Sequence, residues 1–172
     1  MNQSRQEVDM FRFTKSLFII LPFLGAALIP LGHSSQVQTT PLGFASKEII
    51  SMPGAQTSGL PFSSAVKVGN VLFVSGVIGT DVKTNQLISD DVADQTRLCL
   101  EKIKTVVTQG GMNLADAANC TVYLADINDY DAMNKVYATF FPTAPPARAC
   151  VQVAKLVRGA KVEISMIAMK AK

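Results

Sequence analysis

The chain of 172 residues is the length of one domain, and a domain of that size buries roughly two-thirds of its unfolded surface. Hydrophobic residues make up 48% of it and the formal charge is +3, of which the first 32 residues hold a net +1 (Arg5, Arg12 and Lys15 against Glu7 and Asp9). Lysines and arginines are scattered, with no interleaved aromatics, which argues against the basic stripe that a dedicated nucleic-acid surface uses to release counterions.

In chain order, residues 17–32 (LFIILPFLGAALIPLG) form an apolar run behind Arg12 and Lys15 and ahead of His33-Ser34-Ser35-Gln36. Basic, apolar, then small and polar is the layout of a secretory signal. The run is shorter than the ~20 residues of a spanning helix, and Pro22 and Pro30 interrupt it. Residues 1–32 are therefore expected to direct export, to a periplasm or the exterior. An uncleaved signal-anchor is the alternative, since no A-x-A-like site is obvious, and only then is a membrane a partner. Glu7 and Asp9 speak against an organelle transit peptide, and there is no lipobox-like cysteine. Residues 33–46, rich in Ser, Thr, Gln and Gly and free of charge until the next segment, read as a linker to a domain over 47–172.

Within that domain, residues 47–52 give a short strand, and Pro53-Gly54 and Ser58-Gly59 punctuate the loop after it. Residues 65–68 and 71–75 read as strands joined by the hairpin-type turn Gly69-Asn70. Ser89 or Asp90 can cap a helix to about Gln109, ended by Gly110-Gly111, with an apolar stripe of Val92, Cys99, Ile103, Val106 and Val107. Residues 121–124 form a strand. Asn128 or Asp129 begins a second helix, with Met133, Val136, Tyr137, Phe140 and Phe141 at i, i+3, i+4, i+7 and i+8, and Pro142 stops it. Strands over 147–154 and 161–169 close the domain, linked by Val157-Arg158-Gly159. The order β-β-β-α-β-α-β-β predicts an α+β fold, a mixed sheet with both helices on one face. On the last strand Val162, Ile164, Met166 and Ala168 share an apolar face. Lys161, Glu163, Ser165, Ile167 and Met169 make a mixed one, as an interface or cleft wall would.

The three cysteines, Cys99, Cys120 and Cys150, match no zinc spacing, and an odd number cannot all pair within one chain. Cys99 and Cys120 fall on faces expected to be buried. The only histidine, His33, precedes the domain, so no Ser-His or Cys-His dyad and no histidine-bound metal is available to it. No metal or cofactor is expected, and acid–base work must rest on a carboxylate, a water or the substrate's own nitrogen. In the strand Ala147-Arg148-Ala149-Cys150-Val151-Gln152-Val153, alternation puts Arg148 and Cys150 on one face. A guanidinium there needs a partner. It is an edge-strand surface residue, half of an internal salt bridge, or the anchor of a ligand carboxylate, which arginine grips through two parallel hydrogen bonds.

The segment Pro146-Ala147-Arg148-Ala149-Cys150-Val151 with Lys161-Val162-Glu163-Ile164 resembles the C-terminal signature of the reactive-intermediate deaminase (RidA/YjgF) family. Val71-Leu72-Phe73-Val74-Ser75-Gly76 agrees, as does Asn128-Asp129-Tyr130 followed by Asn134, Tyr137 and Phe140-Phe141. The order and spacing fit from about Lys47 to Lys170. The resemblance implies a chorismate-mutase-like fold and a homotrimer with a barrel-like core and sites at the subunit clefts. It implies hydrolysis of 2-imino acids, such as 2-iminopropanoate or 2-iminobutanoate, to 2-keto acids and ammonia. Arg148 then matches the carboxylate-binding arginine and Glu163 the water-positioning glutamate. Ser75, Gly76, Asn134 and Cys150 match residues lining the substrate, Cys150 not as a nucleophile because nothing basic is placed to activate it.

Each position also has a plainer reading: a strand glutamate paired with lysine for Glu163, a turn for Ser75-Gly76, an ordinary polar helix residue for Asn134. Two positions depart from the family. Phe62 stands where deaminating members commonly carry tyrosine, and Val77 replaces a polar residue, so the pocket is expected to be drier and to favour apolar side chains. Most members lack an N-terminal extension and work in the cytosol. The alternative to an enzyme is a protein that holds small carboxylates without turning them over; it would have no use for Glu163. A ribonuclease activity, ascribed to some relatives, lacks support from histidine or a basic patch.

Overall fold

The computed structural model of the chain describes residues 46–54 and 60–171. The signal and nearly all of the linker reading, with Ser58-Gly59, lie outside the described residues. Alternating apolar residues produce six strands: β1 (Lys47–Ile50), β2 (Ala65–Val68), β3 (Val71–Ile78), β4 (Ala117–Leu124), β5 (Ala147–Gln152) and β6 (Val162–Met169). Helical spacing produces α1 (Val92–Gln109) and α2 (Tyr130–Phe140). The expected element order holds throughout.

The strands form one sheet in the order β1-β2-β3-β6-β4-β5, antiparallel at every pairing except β4 with β5, so the sheet is mixed. Gly69, at φ 60, makes the tight β2–β3 turn that a Cβ would strain. Parallel strands need a crossover, and α2 supplies it between β4 and β5. Helix α1 carries the chain from β3 over to β4, leaving the slot between them for β6.

Both helices cover the same sheet face. Leu72, Cys120, Val122, Leu124, Val162, Ile164 and Ala168 from the strands are buried against Cys99, Leu100, Ile103 and Val107 of α1 and Met133 of α2. Burying such side chains is worth roughly 1.5–3 kcal/mol each, which is what holds the layers together. The other face has no cover from the described residues. Ile49, Val66, Phe73 and Ile167 lie in one register row across four strands of it, and Ile49 (53%), Phe73 (46%) and Ile167 (38%) remain exposed.

Several boundaries differ from expectation for identifiable reasons. The α1 cap is Asp91, whose carboxylate accepts from Asp94 N at 3.0 Å. Ser89 instead bonds Asp94 Oδ2 and Asp91 N, one step outside the helix. Before α2, Asp126 accepts from Asn128 N and winds a 3-10 turn over Ile127–Asp129, so the α-helix starts at Tyr130. Strand β3 continues past Ser75 to Ile78 because the register shifts between Val74 and Val77, a bulge at Ser75-Gly76 rather than a strand end. Strand β4 begins four residues earlier than expected, at Ala117, whereas β1 and β5 each stop two residues sooner, at Ile50 and Gln152.

Candidate active site

Strand β5 lies at the edge of the sheet, so the edge-strand reading of Arg148 is right about the strand. Its side chain is nevertheless half-buried, because Arg148 pairs with Cys120 of β4 and so points to the helix-covered face. There the guanidinium lies over two aromatic rings of α2, its Cζ 4.5 Å from the Tyr137 centroid and 5.7 Å from that of Tyr130. Its Nη2 donates to Tyr130 Oη at 3.3 Å, and Met133 Sδ lies 4.0 Å from Nη1. Its side-chain hydrogen bonds go only to these neutral groups, so the internal salt bridge is not formed among the described residues. Tyr130, Asn134 and Tyr137 at i, i+4 and i+7 share one helix face, which turns Asn134 to the same side as Arg148.

The thiols around this cluster are held toward their neutral form. Burial pushes the Cys150 pKa up, and the Arg148 charge only partly opposes it. Cys120 is likewise raised by burial. The Tyr137 hydroxyl is buried without a hydrogen-bond partner of good geometry and has the Cys120 thiol as its polar neighbour. Burial, with that thiol second, raises the Tyr137 pKa strongly.

A second constellation surrounds a cleft of ≈ 610 Å³ at the bulge of β3. Glu163, at the start of β6, lies against the bare face of Gly76; a Cβ at Gly76 would overlap the Glu163 carboxylate. The Ser75 hydroxyl donates to Ser63 O at 2.7 Å, and Ser75 N to Ser64 O at 3.0 Å. Both bonds tie the bulge to the segment that carries Phe62, whose exposed ring forms one wall. Val77, Val106 and Leu60 add apolar lining.

The remaining wall is polar, since Thr80, Asp81, Lys102 and Arg158 also line the cleft. Lys102 Nζ donates to Ile78 O (3.0 Å), Thr80 O (3.1 Å) and Thr80 Oγ1 (3.3 Å). Burial lowers its pKa from the ordinary lysine value. Asp81 turns its Oδ1 to Lys83 N, Thr84 N and Thr84 Oγ1, and these bonds, led by the Thr84 amide, hold its pKa down. None of these four was picked out as a site residue from the sequence. Lys102 had a usable signal, because it lies three residues after Cys99 and four before Val106 on the inward edge of the α1 stripe.

The expected site residues thus fall into two groups. Phe62, Ser75, Gly76 and Glu163 gather at the cleft; Arg148, Asn134 and Cys150 gather between α2 and β5. The groups are separated by the sheet itself. Glu163 pairs with Tyr123, and Arg148 with Cys120, neighbours whose side chains point to opposite faces. Within one chain the guanidinium and the carboxylate therefore face away from each other.

The sequence profile of the endoribonuclease L-PSP family matches residues 54–170. A RutC family protein of Pyrococcus horikoshii is 43% identical over 124 residues, covering 72% of this chain and 98% of that one. A 2-iminobutanoate/2-iminopropanoate deaminase of Dermatophagoides farinae is 37% identical over 121 residues, covering 70% and 94%. Among solved structures, Escherichia coli TdcF with bound serine superposes with a TM-score of 0.68 at 36% identity, covering 72% of this chain and 99% of that one. The six-stranded mixed sheet, the two helices on its one face and these matches along the whole described domain lead to one conclusion: the chain belongs to the RidA/YjgF family, the family also described as endoribonuclease L-PSP.

Proposed function

We propose that the chain hydrolyses 2-imino acids to 2-keto acids and ammonia, at a site assembled from two copies of itself. The observation that carries this reading is Arg148: a half-buried guanidinium over the rings of Tyr137 and Tyr130, with no carboxylate of the described residues paired to it. A cation kept in that state is suited to a ligand carboxylate. The relatives support the same chemistry. One is named a deaminase of two 2-imino acids, and another holds serine, a small molecule with one carboxylate.

The reaction asks for little machinery, because the imine carbon is already electrophilic. Arg148 fixes the carboxylate. Glu163, oriented by its seat on Gly76, holds a water and accepts its proton as the oxygen adds to the imine carbon. Return of that proton to nitrogen gives the amino alcohol. Transfer of the hydroxyl proton to the same nitrogen, again through Glu163, then lets ammonia leave as the carbonyl forms, so that both protons of the water end on nitrogen and its oxygen on carbon. Asn134 and Cys150 line the carboxylate end, and Phe62, Ser75 and Gly76 the other. Because one chain holds these ends on opposite faces of its sheet, the Arg148 cluster of a neighbouring copy completes the cleft. The exposed row of Ile49, Phe73 and Ile167 supports an association, homotrimeric in our reading, that would cover it.

The test is hydrolysis of imines made in place by an amino-acid oxidase, with semicarbazide trapping what remains. The wild-type chain is expected to lower the semicarbazone signal. Arg148→Ala should abolish the effect through lost binding; Glu163→Gln should abolish it while small carboxylates still raise the melting temperature. If wild type does not accelerate hydrolysis yet is stabilised by small carboxylates, the chain is a carboxylate binder, a reading favoured by the missing hydroxyl at Phe62.

A further inference from the structure

The cleft carries two cations beyond the reach of the chemistry just described, and they differ in what they have left to offer. Lys102 spends its three N–H groups on Ile78 O, Thr80 O and Thr80 Oγ1. It contributes charge to the wall but no free donor. Arg158 is the reverse: its side chain lines the cleft, is exposed, and donates no hydrogen bond to a described residue. Its backbone sits at φ 59, in the left-handed region that a non-glycine residue enters only at a cost, and Gly159 follows at φ 73. Keeping arginine rather than glycine or asparagine there points to a use for the side chain. Of the two carboxylates in the cleft, Asp81 turns one oxygen into its own loop and Glu163 is the water-holding group of the reaction proposed above; neither is hydrogen-bonded to Arg158.

We propose that Arg158, backed by the charge of Lys102, forms a second carboxylate subsite, so that the preferred substrate is a 2-imino acid whose side chain itself ends in a carboxylate. The inference rests on the deaminase reading of the same cleft. One carboxylate is taken by Arg148 of the neighbouring copy, the imine carbon sits by Glu163, and the methylenes between lie along Phe62, Leu60 and Val77. Arg158 then meets the far carboxylate through paired N–H groups, a geometry lysine lacks. Burial lowers the Lys102 pKa even though Asp81 opposes it, so a further carboxylate beside this desolvated ammonium would favour its charged form.

The experiment compares 2-iminoglutarate with 2-iminobutanoate, each generated by an oxidase, on the full chain and on Arg158→Asn, asparagine being the non-glycine residue that best tolerates the left-handed backbone. The quantity read is the ratio of the two kcat/KM values. It is expected to favour the dicarboxylate by about tenfold in wild type and to collapse toward one in the variant, the loss typical of a charge-assisted contact. A wild-type ratio at or below one, or the same ratio in Arg158→Asn, overturns the subsite. If neither imine is hydrolysed the deaminase reading fails, and thermal shifts with 2-oxoglutarate and 2-oxobutanoate decide the subsite alone. A larger shift from the dicarboxylate that Arg158→Asn removes upholds it; equal shifts, or no effect of the variant, overturn it.

Discussion

Cys99 shows how far a single side chain can be committed to the fold. It is fully buried on α1, and its thiol donates to Val77 O at 3.1 Å, just past the β3 bulge. Desolvation pushes its pKa from 9.0 up to about 12, with Lys102 pulling the other way and Glu163 adding slightly. In the unfolded chain the thiol loses its proton near 9, whereas the folded chain keeps it until near 12. Between those values the folded state binds more protons, so stability present below pH 9 is lost as pH rises through that window. Lys102 works in the opposite direction: its lowered pKa disfavours the charged form in the folded state, a penalty relieved as pH rises toward 10.5. A substitution at Cys99 separates the two. The urea midpoint of wild type should fall between pH 8 and pH 10.5, and the fall should be smaller in Cys99→Ala, whatever that variant loses at pH 8 from its packing. An equal pH slope in both proteins would show that Cys99 does not titrate in this way.

At the scale of elements, the bulge of β3 and the start of β6 act as one device. Gly76 leaves room for the Glu163 carboxylate, and Gly79, three residues on, leaves room for the backbone of α1. A Cβ at Gly79 would come within 2.7 Å of Gln95 Cα, whereas at Gly76 it would meet only the far end of the Glu163 side chain. The two alanine substitutions should therefore part company. In Gly76→Ala the glutamate swings aside, so melting changes by about 1 kcal/mol or less while imine hydrolysis falls by about 10²-fold, the penalty for a reacting group displaced by an ångström. Gly79→Ala should instead lower stability, because helix and sheet must separate; calorimetry and kcat/KM on both variants check the contrast. Most of the elements were legible from alternation, helical spacing and the turns at Gly69-Asn70 and Gly110-Gly111. The bulge was not, since Ser75-Gly76 in a strand reads equally as its end. Nor was the cap, since Ser89, Asp90 and Asp91 are all competent and only the fold selects Asp91. The site residues could be proposed from resemblance, but not their division into two groups. Which sheet face a side chain takes relative to one on another strand depends on register, and a lone sequence carries no register.

For the whole molecule, that division makes a strong demand. If Arg148 and Glu163 serve one ligand, they must come from different copies, and a defect in either can be made good by a partner that has only the other defect. Arg148→Ala and Glu163→Gln, each inactive alone, should regain activity when unfolded together and refolded as a mixture. In a mixed cyclic trimer every composite site takes its arginine from one neighbour and its glutamate from the next, so one site of three is intact. Three-quarters of randomly assembled trimers are mixed, which sets the expected recovery at roughly a quarter of wild type. The exposed sheet row gives the control: Ile167→Asp places a charge where Ile49, Phe73 and Ile167 line up and should both dissociate the assembly and abolish hydrolysis, without disturbing the helix-covered core on the other face. Light scattering and the semicarbazide assay on the same samples read both effects. A site contained in one chain predicts no recovery from the mixture and an active Ile167→Asp monomer, so the two experiments together decide whether catalysis belongs to the chain or to its assembly.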